Sequence, residues 1–256
     1  MTESERQRLI TDALRHRPFA TVRDILDVVD ASPATIRRDI SKLHKAGLIR
    51  KVFGGIALPG NGETSHTRPF VENRVLNVQA KKAIALEAEK LCRDGDRIII
   101  YGGTTCFLFA QRIARRSLKV YTHSMPVAAT LWEHGTCHVT MGGGELHREP
   151  GVVYSPELTQ PDFYASKLFV SAQAVDAEGA RESHPLMSRL LGTMVDRADE
   201  IVLLADATKF EVRARYLSLP LERVGTLITD SRICDEQLVA ARARGVKLVV
   251  ADEAAS

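Results

Sequence analysis

Seven short apolar runs recur through the C-terminal part of this chain, at residues 97–101, 119–122, 138–141, 167–172, 201–205, 226–229 and 247–251. Most are separated by stretches with helical spacing of apolar residues. Strands that are apolar throughout, alternating with helices, predict a mostly parallel sheet covered on both faces. The 256-residue length leaves room for a second, smaller domain, and 45% apolar with 26% charged residues is ordinary for a globular chain. No apolar run approaches the roughly 20 residues of a membrane helix, and the charged start MTESERQRLI is no secretory signal. A cytoplasmic protein with no membrane partner is expected.

In open parallel sheets, ligands sit beyond the carboxyl ends of the strands. The first strand here runs into Tyr101-Gly102-Gly103-Thr104-Thr105, the second into Thr122-His123-Ser124, the third into Gly142-Gly143-Gly144-Glu145. The run ending at Ala205 leads into Asp206-Ala207-Thr208-Lys209. Taken singly, each glycine cluster is an ordinary tight turn. Together, glycines that admit a ligand, hydroxyls, free helix N–H groups and an ammonium favour a phosphate. The candidate effector residues are therefore Gly103, Thr104, Thr105, His123, Ser124, Gly143, Gly144, Glu145, Asp206 and Lys209. Trp132 is expected to pack a helix onto the sheet, and His184-Pro185 marks a helix start or a turn.

The N-terminal residues follow a different plan. Helical faces are predicted from about Glu5 to Arg17, closed by Pro18, and from Thr21 as N-cap through Val22, Ile25, Leu26 and Val29. The stretch SPATIRRDISKLHKAGLIRKVFGG follows. Ser32 caps a third helix, Pro33 takes its first position, and Ile36, Ile40 and Leu43 form its apolar stripe. Gly47 ends it with a left-handed residue. Thr35, Arg37, Arg38 and Lys42 face outward, and Arg50 and Lys51 lie on a short basic hairpin turning at a glycine pair. Residues 1–60 hold 11 Lys/Arg against 7 Asp/Glu, leaving 24 against 25 for the remainder, so the net +3 lies with this segment. A winged helix-turn-helix for duplex DNA is the reading, with Ser32, Pro33, Thr35, Arg37, Arg38, Lys42, Arg50 and Lys51 at the interface. Packing as a plain three-helix bundle is the bland alternative.

The pattern S-x-x-T-[IV]-R-R-D-[IL]-x-x-L with a wing ending in G-G resembles the DeoR-type transcriptional regulators of sugar catabolism. The resemblance extends along the chain: Gly103-Thr104-Thr105 matches a G-[ST]-T loop, Thr122-His123-Ser124 a T-N-S loop, and Gly143 to Leu146 a G-G-E-L loop. Ala205 to Phe210 matches A-D-[SA]-[ST]-K-F, with Lys209 as its lysine. It implies an N-terminal winged helix-turn-helix at 1–57, a linker at 58–69 rich in Gly and Pro, and a sugar-phosphate-isomerase-like α/β effector domain at 70–256. It also implies an oligomeric repressor whose grip on an operator is governed by a phosphorylated sugar or sugar acid. Tyr101 stands where many members carry Asp, Ser171-Ala172-Gln173-Ala174-Val175 where many read G-A-D-G-[IV], and an E-x-x-K/R pattern is missing around Leu191 and Thr193. The phosphate end resembles the family and the sugar end is redrawn; the overall pattern is similar to the ascorbate-utilisation repressor subgroup. An isomerase-like enzyme carrying an accessory DNA-binding head is the alternative, disfavoured because no carboxylate pair is marked for acid–base work. Four scattered cysteines without C-x-x-C spacing imply reduced thiols, no metal and no cofactor.

Overall fold

The computed structural model describes residues 2–15, 20–21, 25–52, 55–57, 69–155 and 157–252. The chain divides into two compact units, Met1–Glu63 and Thr64–Ser256. Of the segment expected as a linker, residues 58–68 lie outside the described residues, as do Phe53 and Gly54 of the expected hairpin turn.

In the smaller unit, α1 (Glu3–Arg15) and α2 (Pro33–Lys45) close over Ile10, Leu14, Ile25, Val29, Ile36, Ile40 and Leu43, with Ile49 and Ile56 completing the core. Strands β1 (Ala20–Thr21), β2 (Arg50–Val52) and β3 (Gly55–Ala57) form an antiparallel sheet in the order β1-β3-β2. Thr21, expected as a helix cap, is thus paired with Gly55 in β1, and Ile25 and Leu26 are helical. Residues 16–19 and 22–24, which include the expected Pro18 stop and Val22, are outside the described residues.

The ends of α2 are built as its sequence dictates. Ser32 holds an extended conformation and its Oγ accepts from the Thr35 N–H at 3.2 Å, while Pro33 occupies a position that needs no donor. At the other end Gly47 has φ +71°, its N–H reaches His44 O, and the Leu48 N–H reaches Leu43 O at 3.0 Å. That is a Schellman closure, which requires the left-handed residue. One residue on the buried face is charged: Asp39, only 2% exposed, accepts from Arg6 Nε at 2.8 Å and so ties α1 to α2.

The larger unit holds a seven-stranded, all-parallel sheet. Its strands are β4 (Arg97–Ile100), β5 (Lys119–Thr122), β6 (His138–Met141), β9 (Ala165–Ser171), β12 (Ala198–Leu204), β14 (Thr226–Asp230) and β15 (Lys247–Ala251). They lie in the order β15-β14-β12-β9-β4-β5-β6. One face packs on α4 (Val78–Glu89), α5 (Thr104–Ile113) and α6 (Met125–His134) through Ile98, Ile100, Phe109 and Phe169. The other packs on α7 (Pro185–Val195) through Ile99, Leu168, Leu190 and Met194. A last helix, α8 (Asp235–Ala243), precedes the edge strand β15.

Several elements were not legible in the apolar pattern. The helical run expected over 70–92 is two helices, α3 (Phe70–Val75) and α4, broken at Asn77, whose φ of +49° is tolerated by asparagine better than by most side chains. Strands β7 (Glu145–His147) and β8 (Val152–Tyr154) pair as a hairpin. Strands β10 (Ala174–Val175), β11 (Gly179–Glu182) and β13 (Tyr216–Pro220) form a second small antiparallel sheet. Trp132 does not pack onto the sheet: near the exposed end of α6 it is 79% exposed. No helix among the described residues is long and apolar enough to cross a membrane.

Ile36 is fully buried at the centre of the small core, so Ile36→Ala should destabilise that unit by about 2–5 kcal/mol. Calorimetric unfolding should show an earlier transition for the small unit with the larger one unmoved.

Candidate functional site

The chain leaves β4 toward β5 and β6, then returns past β4 to place β9 on its other side. The loops after β4 and β9 therefore diverge, which is the switch point where open α/β sheets hold ligands. A cleft of about 300 Å3 lies there. Gly102 to Thr105 follow β4 into it, Ser171, Ala172 and Gln173 follow β9, and Lys209 arrives from the loop after β12. Phe70 and Asn73 of α3, His147 to Tyr154 of the β7–β8 hairpin, and Glu182 and His184 supply further walls.

The glycine loop has a steric reason. Gly103 sits at φ +87°, and the position a Cβ would take is filled by Ser171 Oγ, which donates to Gly102 O. Thr104 and Thr105 open α5 with buried side chains, and no side chain among the described residues caps its first N–H groups, which point along the helix axis. Asp206 is completely buried; its Oδ1 accepts from Asn77 Nδ2 at 3.3 Å and from Thr208 N at 3.2 Å, and its Oδ2 has no hydrogen-bond partner among the described residues. Beside it Lys81, 1% exposed, donates to Asn73 O at 2.6 Å. Burial pulls the Lys81 ammonium down to about 8, the charge of Lys209 pushes the same way, and Asp206 opposes both.

Not every expected effector residue meets here. Gly103, Thr104, Thr105 and Lys209 line the cleft. Asp206 lies behind it, shaping the 3-10 turn Ala207–Phe210 that carries Lys209. His123 follows β5, one strand away from the switch point. Its ring is buried, with Nδ1 at 2.6 Å from Val153 O, Nε2 at 3.0 Å from Tyr121 Oη, and Gly142 pressed against it. Burial lowers its pKa, so its structural role is that of a neutral strut. Ser124 Oγ caps α6 by accepting from Val127 N. Gly143 and Gly144 turn the chain into β7, and Glu145 begins that strand with an exposed side chain.

Three residues outside the sequence reading bear on the cleft, Asn77, Lys81 and Glu182, and Tyr101, just after β4, entered that reading only as a loop start and a departure from the family pattern. Lys81 could be found, since it falls three residues after Val78 and four before Ala85 on an apolar stripe. Tyr101 is 1% exposed and its hydroxyl donates to Met187 O at 2.9 Å. Glu182 Oε1 lies 3.4 Å from the same hydroxyl. Burial pushes the Glu182 carboxyl up to about 7, against the hydrogen bond from Tyr101 and the charge of Lys209. His184 caps α7 through Nδ1, which accepts from Leu186 N at 3.2 Å.

On the small unit, Arg37 and Arg38 are exposed on the outer face of α2, together with Ser32 and Pro33, while Thr35 is half-buried. Lys42 is exposed too but engages Glu3 with Nζ–O distances of 2.7 and 2.8 Å. The backbones of Arg50 and Lys51 run in β2, paired with Ala57 and Ile56. Among the described residues no cluster of His, Cys, Asp and Glu could hold a metal ion.

An exposed basic helix face on the small unit and a ligand cleft at the sheet switch point of the larger one are the features of a DNA-binding regulator with a sensor domain. Residues 6–61 match the DeoR-like helix-turn-helix domain and residues 76–231 the DeoR C terminal sensor domain, and the chain belongs to the DeoR family. It is 28% identical over 250 residues to the HTH-type transcriptional regulator UlaR of Shigella dysenteriae serotype 1, covering 97% of this chain and 99% of that one. UlaR of Salmonella newport is 27% identical with the same coverage. Among solved structures, ribose 5-phosphate isomerase A from Methanocaldococcus jannaschii aligns at 19% identity and a TM-score of 0.38, over 52% of this chain and 55% of that one. The delta subunit of eIF2B from Chaetomium thermophilum aligns at 17% and 0.44, over 62% and 58%. The protein is a transcriptional regulator with DNA and a small molecule as partners, and not an enzyme.

The Glu182 proton gives a stability signature. Its folded pKa is raised from 4.5, so the stability it confers is complete below pH 4.5 and lost as pH rises through about 7. Thermal unfolding of the larger unit should therefore fall across that window, and Glu182→Gln, which cannot ionise, should flatten the fall.

Proposed function

We propose that the protein is a cytoplasmic, sequence-specific repressor of a sugar or sugar-acid catabolic operon, released from its operator when a phosphorylated sugar or sugar acid fills the cleft. The observation that carries this reading is the convergence of Lys209 with Gly102 to Thr105 at the N-terminus of α5. A phosphate there meets an ammonium, two threonine hydroxyls, helix-end N–H groups and a backbone stripped of Cβ atoms. Gly103, Thr104, Thr105 and Lys209 take the phosphate in this reading, and Asp206 holds the Lys209 turn in place. His123, Ser124, Gly143, Gly144 and Glu145 support the walls from the neighbouring strand ends.

On the DNA side, Arg37 and Arg38 are assigned to base edges and phosphates, with Ser32, Pro33 and Thr35 at the helix end that enters the groove. Arg50 and Lys51 on the wing, and Lys42 when it leaves Glu3, neutralise phosphates. A head of this size binds weakly alone, so the working form is a homo-oligomer that places two heads on repeated half-sites.

Replacing Arg38 by Ala should weaken operator binding by about 1–3 kcal/mol in a fluorescence anisotropy titration. Lys51→Ala should instead lower the slope of log affinity against log salt by about one. Lys209→Ala should abolish the thermal stabilisation by phosphorylated sugars while leaving ligand-free operator affinity intact, because a ligand bound only by the folded form raises its melting point. Unchanged operator affinity in Arg38→Ala would remove the assigned reading face.

A further inference from the structure

The turn that carries Lys209 is held from outside its own strand. Asn77, at the break between α3 and α4, donates from Nδ2 to Asp206 Oδ1 at 3.3 Å and to Thr208 Oγ1 at 3.2 Å. An amide nitrogen has two protons, and this one spends both on the turn. Thr208 Oγ1 gives its single proton to Asp206 Oδ1, so toward Asn77 it can only accept, and the amide has one consistent orientation. The turn is closed within itself by the Lys209 N–H on Asp206 O at 2.9 Å.

The same residue stands just beyond the end of α3. Asn77 has φ +49°, and the Lys81 N–H reaches its carbonyl at 3.0 Å at the start of α4. Lys81 Nζ then reaches back to the Asn73 carbonyl in α3 at 2.6 Å. Position 77 thus asks for a backbone that tolerates positive φ and a side chain with two donors on one atom, and asparagine meets both demands. Phe70 and Asn73 of α3 line the cleft together with Lys209. α3 is short and has no buried residue, so it opens and docks again at small cost.

We propose that Asn77 is a positioning residue that couples the Lys209 turn to α3, so that a phosphate in the cleft holds α3 docked. The inference rests on the phosphate reading of the Lys209 end. A ligand shifts such an equilibrium only by contacts present in one state and absent in the other. The two Asn77 bonds are of that kind. They need the left-handed backbone at 77 that the docked helix imposes, and they need the turn in the place where Lys209 meets the phosphate. Each end therefore steadies the other. α3 is also the first helix described in the larger unit, so its docking is the change by which a filled cleft reaches the chain that precedes it.

The test is hydrogen exchange of the full chain, read by mass spectrometry at residues 70–77, with inorganic phosphate as probe and chloride of equal ionic strength as reference. Phosphate is set at ten times its dissociation constant for each variant, taken from the rise in melting temperature, so that occupancies match. In the unsubstituted chain phosphate should slow exchange there by about tenfold, the limit when the open state binds no ligand. Lys209→Ala should remove both the melting shift and the slowing. Asn77→Gly keeps the left-handed backbone and deletes only the amide. It should still bind phosphate, yet exchange at 70–77 should be the same in phosphate and in chloride. Thr208→Val removes an acceptor from the other side of the contact and should lose most of the slowing too. A merely structural Asn77 would speed exchange in both salts and leave their ratio unchanged.

Slowing of the same size in Asn77→Gly and Thr208→Val as in the unsubstituted chain overturns the assignment. So does phosphate binding that leaves residues 70–77 of the unsubstituted chain unchanged. Should Asn77→Gly fail to fold, Thr208→Val alone decides. If phosphate raises no melting temperature in the unsubstituted chain, or raises it equally in Lys209→Ala, the phosphate reading fails and this assignment falls with it.

Discussion

Ser171 Oγ occupies the space a side chain on Gly103 would need, and it donates to the carbonyl of Gly102. That contact stitches the end of β9 to the end of β4 at the place where the sheet order reverses. Just before it, the Tyr101 N–H reaches Phe169 O at 2.9 Å, so the two strands stay paired until the final residue. Beyond it the two chains part. The cleft exists because pairing continues that far and no farther, and its floor is held by a hydroxyl and two glycines rather than by bulky side chains.

Around that floor the protein has placed ionisable groups where solvent cannot relieve them. Lys81 and Asp206 are buried and Glu182 is half-buried, and each is tied to a neighbour on another element. A buried carboxylate oxygen with no donor among the described residues, as in Asp206 Oδ2, is costly in a folded chain. Such costs concentrate where a protein must respond to something. The small unit uses the same device more cheaply: the pair Arg6–Asp39 ties two helices together, while Arg37 and Arg38, just before Asp39 on the same helix, are exposed.

Much of this was readable from the residue order. Continuous apolar strands are dictated by burial on both faces, and the runs at 119–122, 138–141 and 247–251 coincide with β5, β6 and β15. Ser32, Pro33 and Gly47 signalled the ends of α2 because capping is local chemistry. The β7–β8 hairpin and the β10–β11–β13 sheet escaped notice because their strands are short and, apart from the two-residue β10, only partly buried, so neither periodicity nor continuous hydrophobicity marks them. For the cleft, the loops were legible but their grouping was not. Four strand ends look equivalent along the chain, and only the order of strands in the sheet decides that β4, β9 and β12 share a site while the loop of His123 is turned inward. Glu182 belongs to a small sheet that the apolar pattern does not reveal.

The helix α3 buries none of its own residues and spans only six of them. A helix so short has little intrinsic stability in water, so its persistence is borrowed from what it touches. Those touches are Phe70 edge-on to Phe107 at 5.5 Å, the Phe70 N–H on Glu149 at 3.1 Å, and the Asn73 carbonyl on Lys81. Phe70 and Asn73 are also cleft wall, and the helix begins one residue after the segment that leads back to the small unit. Whatever occupies the cavity therefore touches a helix that depends on its neighbours for its persistence, and that helix follows directly in sequence on the segment joining the two units.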